Sequence, residues 1–386
     1  MNAAEQTGVV GAAIRDEFPL LGTTTYLNAC SQGPLSHRVR AAYETYLAGW
    51  DANGAEWEVW VERAEAARAA FARLLHAGAD EVAVTTSVSQ GVNAIVSSLD
   101  LRARPRIVVS DYEFPTVGQI AHAQELRGAE IVHVHPDADG VIPVEAFAAA
   151  IDERTALVCC ATVSYRTGHR QDLAAIAEAA HASGALVLAD SYQAIGAIDV
   201  DPRALGVDVV TGGTVKYLLA SAGLAFLYVR RELLPELLPT QTGWFADEDI
   251  FQMDISDYSP AADARRFDAG TPPVPNIFAG VAGMSLIEET GVPAIEDHVR
   301  GLNTHLIEEL HRLGASVVTP DDPSRRGPLV CVRSTDVSKL VGELATEQIV
   351  VSSRDENLRV ASHFYNTGED VDRLVAALAS RRHLLA

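Results

Sequence analysis

Val209-Val210-Thr211-Gly212-Gly213-Thr214-Val215-Lys216-Tyr217-Leu218-Leu219 sets a lysine just beyond an apolar, β-branched run. Such a run reads as a buried strand, and its end is a poor place for an ordinary surface cation. The chain holds 30 Lys plus Arg, of which only Lys216 and Lys339 are lysines. A chain that otherwise uses arginine has kept an amine here. An ammonium can lose its proton when desolvated and attack a carbonyl, which a guanidinium cannot do near neutral pH. Lys216 is therefore a candidate Schiff-base lysine; a lysine capping a strand-to-turn junction is the other reading this stretch allows.

Outward from it, runs at 82–86, 106–110, 130–134, 156–161, 185–189, 207–210 and 224–229 read as seven strands, with helical patterns between several of them. Repeated βα units built from near-continuous Val, Ile, Leu and Ala predict an α/β fold with a largely parallel sheet covered on both faces. Ligands of such sheets sit outside the carboxyl ends of the strands, so the residues that follow each strand carry the functional information.

After 86 comes Ser87-Val88-Ser89-Gln90-Gly91, a hydroxyl-lined helix start whose free N–H groups suit a phosphate or whose serine is a plain N-cap. After 110 comes Asp111-Tyr112-Glu113-Phe114-Pro115-Thr116, where Phe114 either stacks on a planar ring or joins the core. After 189 comes Asp190-Ser191-Tyr192-Gln193, an acid that closes an apolar strand and needs a cationic or hydrogen-bonding partner, or caps a helix.

The flanks are organised differently. Residues 1–25 read as a short helix and a turn, and Tyr26-Leu27-Asn28-Ala29-Cys30-Ser31-Gln32-Gly33-Pro34 as a strand running into a turn. Two helical patterns separated by Asn53-Gly54 fill 36–75. From Asn276 an apolar helix leads into a small α+β unit, with strands near 315–318 and 328–333, a helix near 337–347 and a last helix from about Asp370. Residues 26–275 are thus expected to form a large α/β domain, and 1–25 with 276–386 a smaller one. In the latter, Arg359 either clamps a carboxylate with its planar fork or is an ordinary strand arginine.

Composition narrows the partners. Over 386 residues the chain is 48% hydrophobic and 21% charged, with a net charge of −22 that repels nucleic acid and anionic membrane. No apolar run is long enough to span a bilayer. Met1-Asn2-Ala3-Ala4-Glu5-Gln6 lacks a basic, signal-like start, so the expected location is cytoplasmic. Cys30, Cys159, Cys160 and Cys331 form no CxxC pair, and the adjacent Cys159-Cys160 should point to opposite faces of a strand. His133-Val134-His135 puts two imidazoles on one face with nothing nearby to complete a metal shell, so no metal is expected.

A strand-end acid, a lysine after the next strand, a hydroxyl-lined helix start and an aromatic are the parts that pyridoxal 5'-phosphate requires. With these residues the sequence closely resembles the class V aminotransferase family of fold-type I pyridoxal-phosphate enzymes, which includes cysteine desulfurases, selenocysteine lyases, kynureninases and isopenicillin-N epimerases. The resemblance runs from about Tyr26 to about Leu378. It implies a fold-type I transferase: a seven-stranded, mostly parallel sheet with a smaller C-terminal α+β domain. It also implies roles. Lys216 falls where the family has its Schiff-base lysine. Asp190 and Gln193 match Asp-x-x-Gln, a pyridinium partner and a contact to the phenolic oxygen. Val88 and Ser89 fall in the phosphate turn, with Thr214 beside the lysine as a further cofactor contact. Phe114 sits where the family stacks a ring. Thr271, in Asp268-Ala269-Gly270-Thr271-Pro272-Pro273, looks like the threonine that reaches the partner subunit's phosphate, which implies a homodimer. Arg359 looks like the arginine that holds the substrate's α-carboxylate.

The departures bear on the reaction. The stretch 350–358 carries no cysteine, which argues against a true desulfurase. Val215 replaces the His or Tyr usual before the lysine, and Ala220-Ser221-Ala222-Gly223 replaces the glycine-rich run of kynureninases, although Glu113-Phe114-Pro115-Thr116 and Ser164-Tyr165-Arg166-Thr167-Gly168 lean toward that branch. The expected activity is carbon–sulfur or carbon–selenium lyase chemistry, or a related β-elimination, on an α-amino acid. The alternatives are an aminotransferase, an epimerase or a decarboxylation-coupled enzyme, and, from another class, a cofactor-binding regulator. Cys30 either approaches the site or is a small buried apolar residue, and Trp244-Phe245 either walls the substrate pocket or packs in the core.

Overall fold

The structure is a computed structural model and describes residues 10–137 and 140–386; the start Met1 to Gln6 lies outside the described residues. The central sheet contains β1 (Val82–Thr85), β2 (Arg106–Ser110), β3 (Glu130–Val134), β4 (Thr155–Ala161), β5 (Leu186–Asp190), β6 (Val209–Gly213) and β7 (Ala225–Val229). Their spatial order is β1-β7-β6-β5-β4-β2-β3. Strands β2 to β6 run parallel to one another, whereas β7 is antiparallel to both β1 and β6. This is the seven-stranded, mostly parallel α/β sheet expected from the apolar runs.

Side-chain alternation builds its two faces. Val108, Val158, Cys160, Val187, Ala189 and Val210 join one apolar cluster, while Ile107, Val109, Leu157, Cys159, Leu188 and Val209 join the other. The period of two explains why adjacent Cys159 and Cys160 lie on opposite sides. All four cysteines are buried and free. Helix α1 (His37–Asn53) packs on α7 (Val274–Thr290) and α7 on α2 (Trp57–Leu74), while α2, α3 (Val88–Ser97), α4 (Pro115–Ala123), α5 (Val144–Ala150) and α6 (Leu173–Ala182) cover the sheet. None of the described helices is long and apolar enough to cross a membrane.

The C-terminal part adds α8 (Val292–Arg312), α9 (Val337–Thr346), α10 (Gly368–Ala379) and an antiparallel sheet of β8 (Leu329–Arg333), β9 (Ser352–Arg354) and β10 (Asn357–Ala361) in the order β9-β10-β8. Leu358, Val360, Val330 and Val332 pack against Leu306 and Leu310 of α8, Leu340 and Leu344 of α9, and Leu374 of α10. Two features differ from the sequence reading. The helical pattern after Asn276 divides into α7 and α8, because Gly291 turns with φ 87° and Pro293 opens the second helix. The strand expected at 315–318 is reduced to one bridge, Val317 to Val332, because Thr319 Oγ1 accepts the Cys331 N–H at 2.8 Å in place of a ladder bond.

The opening segment ties the two parts together. Thr25–Tyr26 pairs in parallel with Ile349–Val350, and Asn28 bridges Ala361. This lays Cys30 to Gly33 against the loop that carries Lys216, where the Gly33 N–H donates to Val215 O at 2.8 Å.

Candidate active site

The parallel strands end on one edge, and a cavity of about 280 Å³ opens there. Of the residues expected at the site, Val88, Ser89, Phe114, Asp190, Gln193 and Lys216 line it. Asp190 is the last residue of β5, opposite Ala161 of β4 and Thr211 of β6. It is buried, and its Oδ1 accepts the Tyr192 N–H at 3.0 Å. No cation lies within ion-pair distance of it among the described residues. Burial raises its pKa, opposed by that N–H and by Lys216.

Lys216 is half-buried, lines the same cavity and also lacks an ion pair among the described residues. Desolvation lowers its pKa from 10.5 to about 8, against the pull of Asp190 and Cys30. Its Nζ lies 4.2 Å from the ring centroid of Tyr192 and 5.7 Å from that of Phe114. The loop around it is tightly drawn. A Cβ on Gly33 would stand 2.7 Å from Lys216 O, so only glycine lets the opening segment come this close. Leu219 sits at φ 60°, a left-handed conformation that costs a branched residue about 1–2 kcal/mol. Buried His363 holds Tyr217 O at 2.8 Å from Nε2, while its Nδ1 accepts the Phe364 N–H. That second bond assigns the tautomer, and burial lowers the pKa of His363 to about 4, so the ring is a neutral brace.

The remaining parts form a cradle. Ser87 caps α3, with Oγ accepting the Gln90 N–H at 3.1 Å, which leaves the N–H groups of Val88 and Ser89 without intrahelical acceptors. Ser89 Oγ and Thr116 Oγ1 share a hydrogen bond of 2.6 Å beside them. Phe114 is 44% exposed and therefore not core; its ring meets Tyr165 edge-to-face at 5.3 Å. Gln193 Nε2 donates to Cys30 O at 3.1 Å, and its Oε1 is buried without a partner.

Three expected residues lie elsewhere. Arg359 stands at the edge of the cavity, buried, with Nη1 donating to Tyr165 O at 3.0 Å and Nη2 to Ser352 Oγ at 3.1 Å and Ser31 Oγ at 3.3 Å. Thr214 sits behind the lysine; its hydroxyl donates to Ser221 O at 2.8 Å and Leu224 O at 3.2 Å, so it shapes the loop and does not face the cavity. Thr271 is exposed and away from the cavity of its own chain. Its turn is anchored by buried Asp268, which accepts the Val84 N–H at 2.7 Å and pairs with Arg68 at 2.9 Å. Trp244 and Phe245 do not wall the cavity: they pack on each other and on Trp57 of α2.

Sequence reasoning missed Tyr192, Thr116 and Glu113. Gly212-Gly213 carried a signal for Tyr192, because a Cβ on Gly213 would stand 2.5 Å from its hydroxyl. Glu113 is buried; its Oε1 accepts the Ser110 hydroxyl at 2.9 Å and the Ala161 N–H at 2.5 Å, and its Oε2 has no partner among the described residues. Burial first, and then the neighbouring Asp190, raises its pKa from 4.5 to about 8.

These residues fit pyridoxal 5'-phosphate on their own evidence. A buried carboxylate without a cation calls for a ring nitrogen that can carry a proton. A half-buried amine of lowered pKa calls for a carbonyl carbon, the orphaned Oε1 of Gln193, itself a lining residue, leaves hydrogen-bonding capacity for a ring substituent, and the start of α3 calls for a dianion.

Comparison with known proteins agrees. The aminotransferase class-V family profile matches residues 25–374. The chain is 35% identical over 367 residues to the uncharacterized aminotransferase YcbU of Bacillus subtilis, covering 95% of this chain and 97% of that protein. It is 31% identical to a kynureninase of Deinococcus radiodurans, covering 95% of this chain and 92% of that one. Its fold matches the apo cysteine desulfurase of Thermococcus onnurineus with a TM-score of 0.87 at 20% identity, over 99% of this chain and 100% of that structure.

Proposed function

The chain belongs to the class-V aminotransferase family, and from that premise we propose that this pyridoxal-phosphate-dependent enzyme breaks a carbon–sulfur or carbon–selenium bond at the β carbon of an α-amino acid. The observation that carries the reading is that Lys216 is the one base of near-neutral pKa among the described residues lining the cavity. A single base suits reactions in which one group takes the α proton and returns it to another atom; epimerisation through two opposed bases finds no second one here.

The residues divide the work as follows. Asp190 would hold the ring nitrogen, Gln193 the phenolic oxygen, Val88 and Ser89 with Thr116 the phosphate, and Phe114 the ring face. Bound there, the cofactor supplies an electron sink for the pair left when a bond at the α carbon breaks. Arg359 orients the substrate's carboxylate with its planar fork. Lys216, neutral once displaced, takes the α proton and then delivers it to the departing sulfur or selenium, so the β substituent leaves as thiol or selenol. The remaining three-carbon fragment leaves as the enamine 2-aminoacrylate, whose imine tautomer takes up one water and breaks down to pyruvate and ammonia.

A second reading, amino transfer to a keto acid, uses the same base and is favoured by the 35% identity to a protein described as an aminotransferase. One experiment separates them. S-substituted cysteines and simple amino acids are offered to the purified protein with and without a keto acid. Pyruvate release without a keto acid supports elimination, turnover only with a keto acid replaces it with transfer, and cofactor binding without turnover would make the chain a regulator.

The same reading makes the enzyme a homodimer in which Thr271 reaches the partner subunit's cofactor. It is supported by the exposure of Thr271 and its distance from the cavity of its own chain. Sedimentation of the cofactor-loaded protein as a monomer would contradict it.

A further inference from the structure

The hairpin that carries Arg359 presents a second arginine on the same face. Ser352 lies opposite Arg359 and Arg354 opposite Asn357, so Arg359, Ser352 and Arg354 share one side, away from Leu358 and Val360 in the apolar core. Arg354 stands one side-chain repeat beyond Ser352, roughly 7 Å along the strand and toward solvent.

Tyr165 links the two arginines. Its carbonyl accepts Arg359 Nη1 at 3.0 Å, its ring centroid lies 5.6 Å from the Arg354 guanidinium, and it lines the cavity. The tip of the hairpin is pinned. Asp355 turns with φ 55°, and its Oδ2 accepts Arg166 Nε at 2.8 Å, from the residue that follows Tyr165. That ion pair occupies the carboxylate next to Arg354, and among the described residues Arg354 has no ion pair of its own. A chain of net charge −22 thus keeps a guanidinium without an ion pair among the described residues against the ring of Tyr165, which lines the cavity. Arg359 Nε and Asn357 Oδ1, on the same face, are buried and unpartnered, so polar capacity remains there for a ligand.

We propose that Arg354 binds a second, distal anionic group of the substrate, so that the enzyme selects α-amino acids whose side chain or leaving group ends in a carboxylate or sulfonate. The inference rests on the reading that Arg359 holds the α-carboxylate.

Paired ligands that differ only at the far end test it. Cofactor-loaded protein is titrated with the non-reacting pair glutarate and valerate, following the cofactor absorption and, separately, heat of binding, and S-(2-carboxyethyl)cysteine and S-(2-sulfoethyl)cysteine are compared with S-propylcysteine by kcat/KM. The wild type should favour each anionic member roughly tenfold over its neutral partner. In R354A the ratio should fall toward one, and R354K should restore part of it. A merely structural arginine would weaken both members alike and leave the ratio intact, which overturns the proposal, as does a wild type with no preference. R359A separates the underlying reading: it should weaken glutarate and valerate together, and if it alters neither, the carboxylate role of Arg359 fails instead. Whichever of carboxylate and sulfonate gives the higher kcat/KM identifies the anion.

Discussion

The amine of Lys216 lies 4.2 Å from the ring centroid of Tyr192, and no carboxylate is within ion-pair reach of it among the described residues. The ring face supports the ammonium at contact range beside the longer-range pull of Asp190, and desolvated contacts of this kind reach about 2 kcal/mol. Replacing Tyr192 with Leu removes support for the charged amine and should move the pH midpoint of cofactor incorporation about one pH unit lower. Y192F keeps the ring and should keep the midpoint. Absorption at fixed cofactor over a pH series reads both, and equal midpoints in wild type and Y192L would remove Tyr192 from the mechanism.

For the wild type, incorporation needs neutral Lys216 and should rise with pH through about 8. K216A should lose turnover altogether, and borohydride reduction should fix the cofactor to the peptide that contains Lys216; label at Lys339 would refute the assignment.

Lys216 also burdens the cofactor-free fold. A base whose folded pKa falls from 10.5 to about 8 leaves a penalty that is fully present below pH 8 and gone above about 10.5. Lys216→Met should therefore stabilise the cofactor-free protein at pH 7 by on the order of 3 kcal/mol. The gain should shrink above pH 9. Denaturant midpoints at pH 7 and pH 10 check the sign, and a gain that grows with pH would reverse it.

Glu113 titrates the other way. Its folded pKa rises from 4.5 to about 8, so the folded protein holds a proton that the unfolded chain has released between those values. Stability should fall as pH rises across that interval. Glu113→Gln keeps the shape and the acceptor for the Ala161 N–H, and should flatten this slope by a few kcal/mol between pH 5 and pH 8.5. Parallel urea titrations measure it, and identical slopes would show that Glu113 is ionised in the fold.

The tight packing of the loop around the lysine yields two further outcomes. Gly33→Ala would put a Cβ 2.7 Å from Lys216 O and should lower cofactor content at saturation. Leu219→Gly relieves the strain of φ 60° but strips a buried side chain from the core, a loss of about 2–5 kcal/mol that outweighs the roughly 1–2 kcal/mol regained, so it should lower stability. Bound cofactor per chain and thermal melting decide between this account and a loop that tolerates both.

Much of this protein is local and therefore legible in the chain. Periodicity in β4 and β5 predicts buried strands and places Cys159 and Cys160 on opposite faces, because alternation is a property of consecutive residues. The same locality puts Asp190, Gln193 and Lys216 just beyond strand ends, and parallel strands bring their ends to one edge whatever the loops do.

Tertiary structure decided the rest. Tyr192 lies against Lys216 only because β5 and β6 are neighbours and Gly213 leaves room for the ring. Glu113 is an acid beside Asp190 only because its carboxyl reaches across to the Ala161 N–H of β4. Arg354 meets the ring of Tyr165 where the hairpin tip is fastened to Arg166 through Asp355. Each depends on contacts between distant parts of the chain and on the desolvation that follows, and neither pattern nor spacing along the sequence encodes burial of that kind.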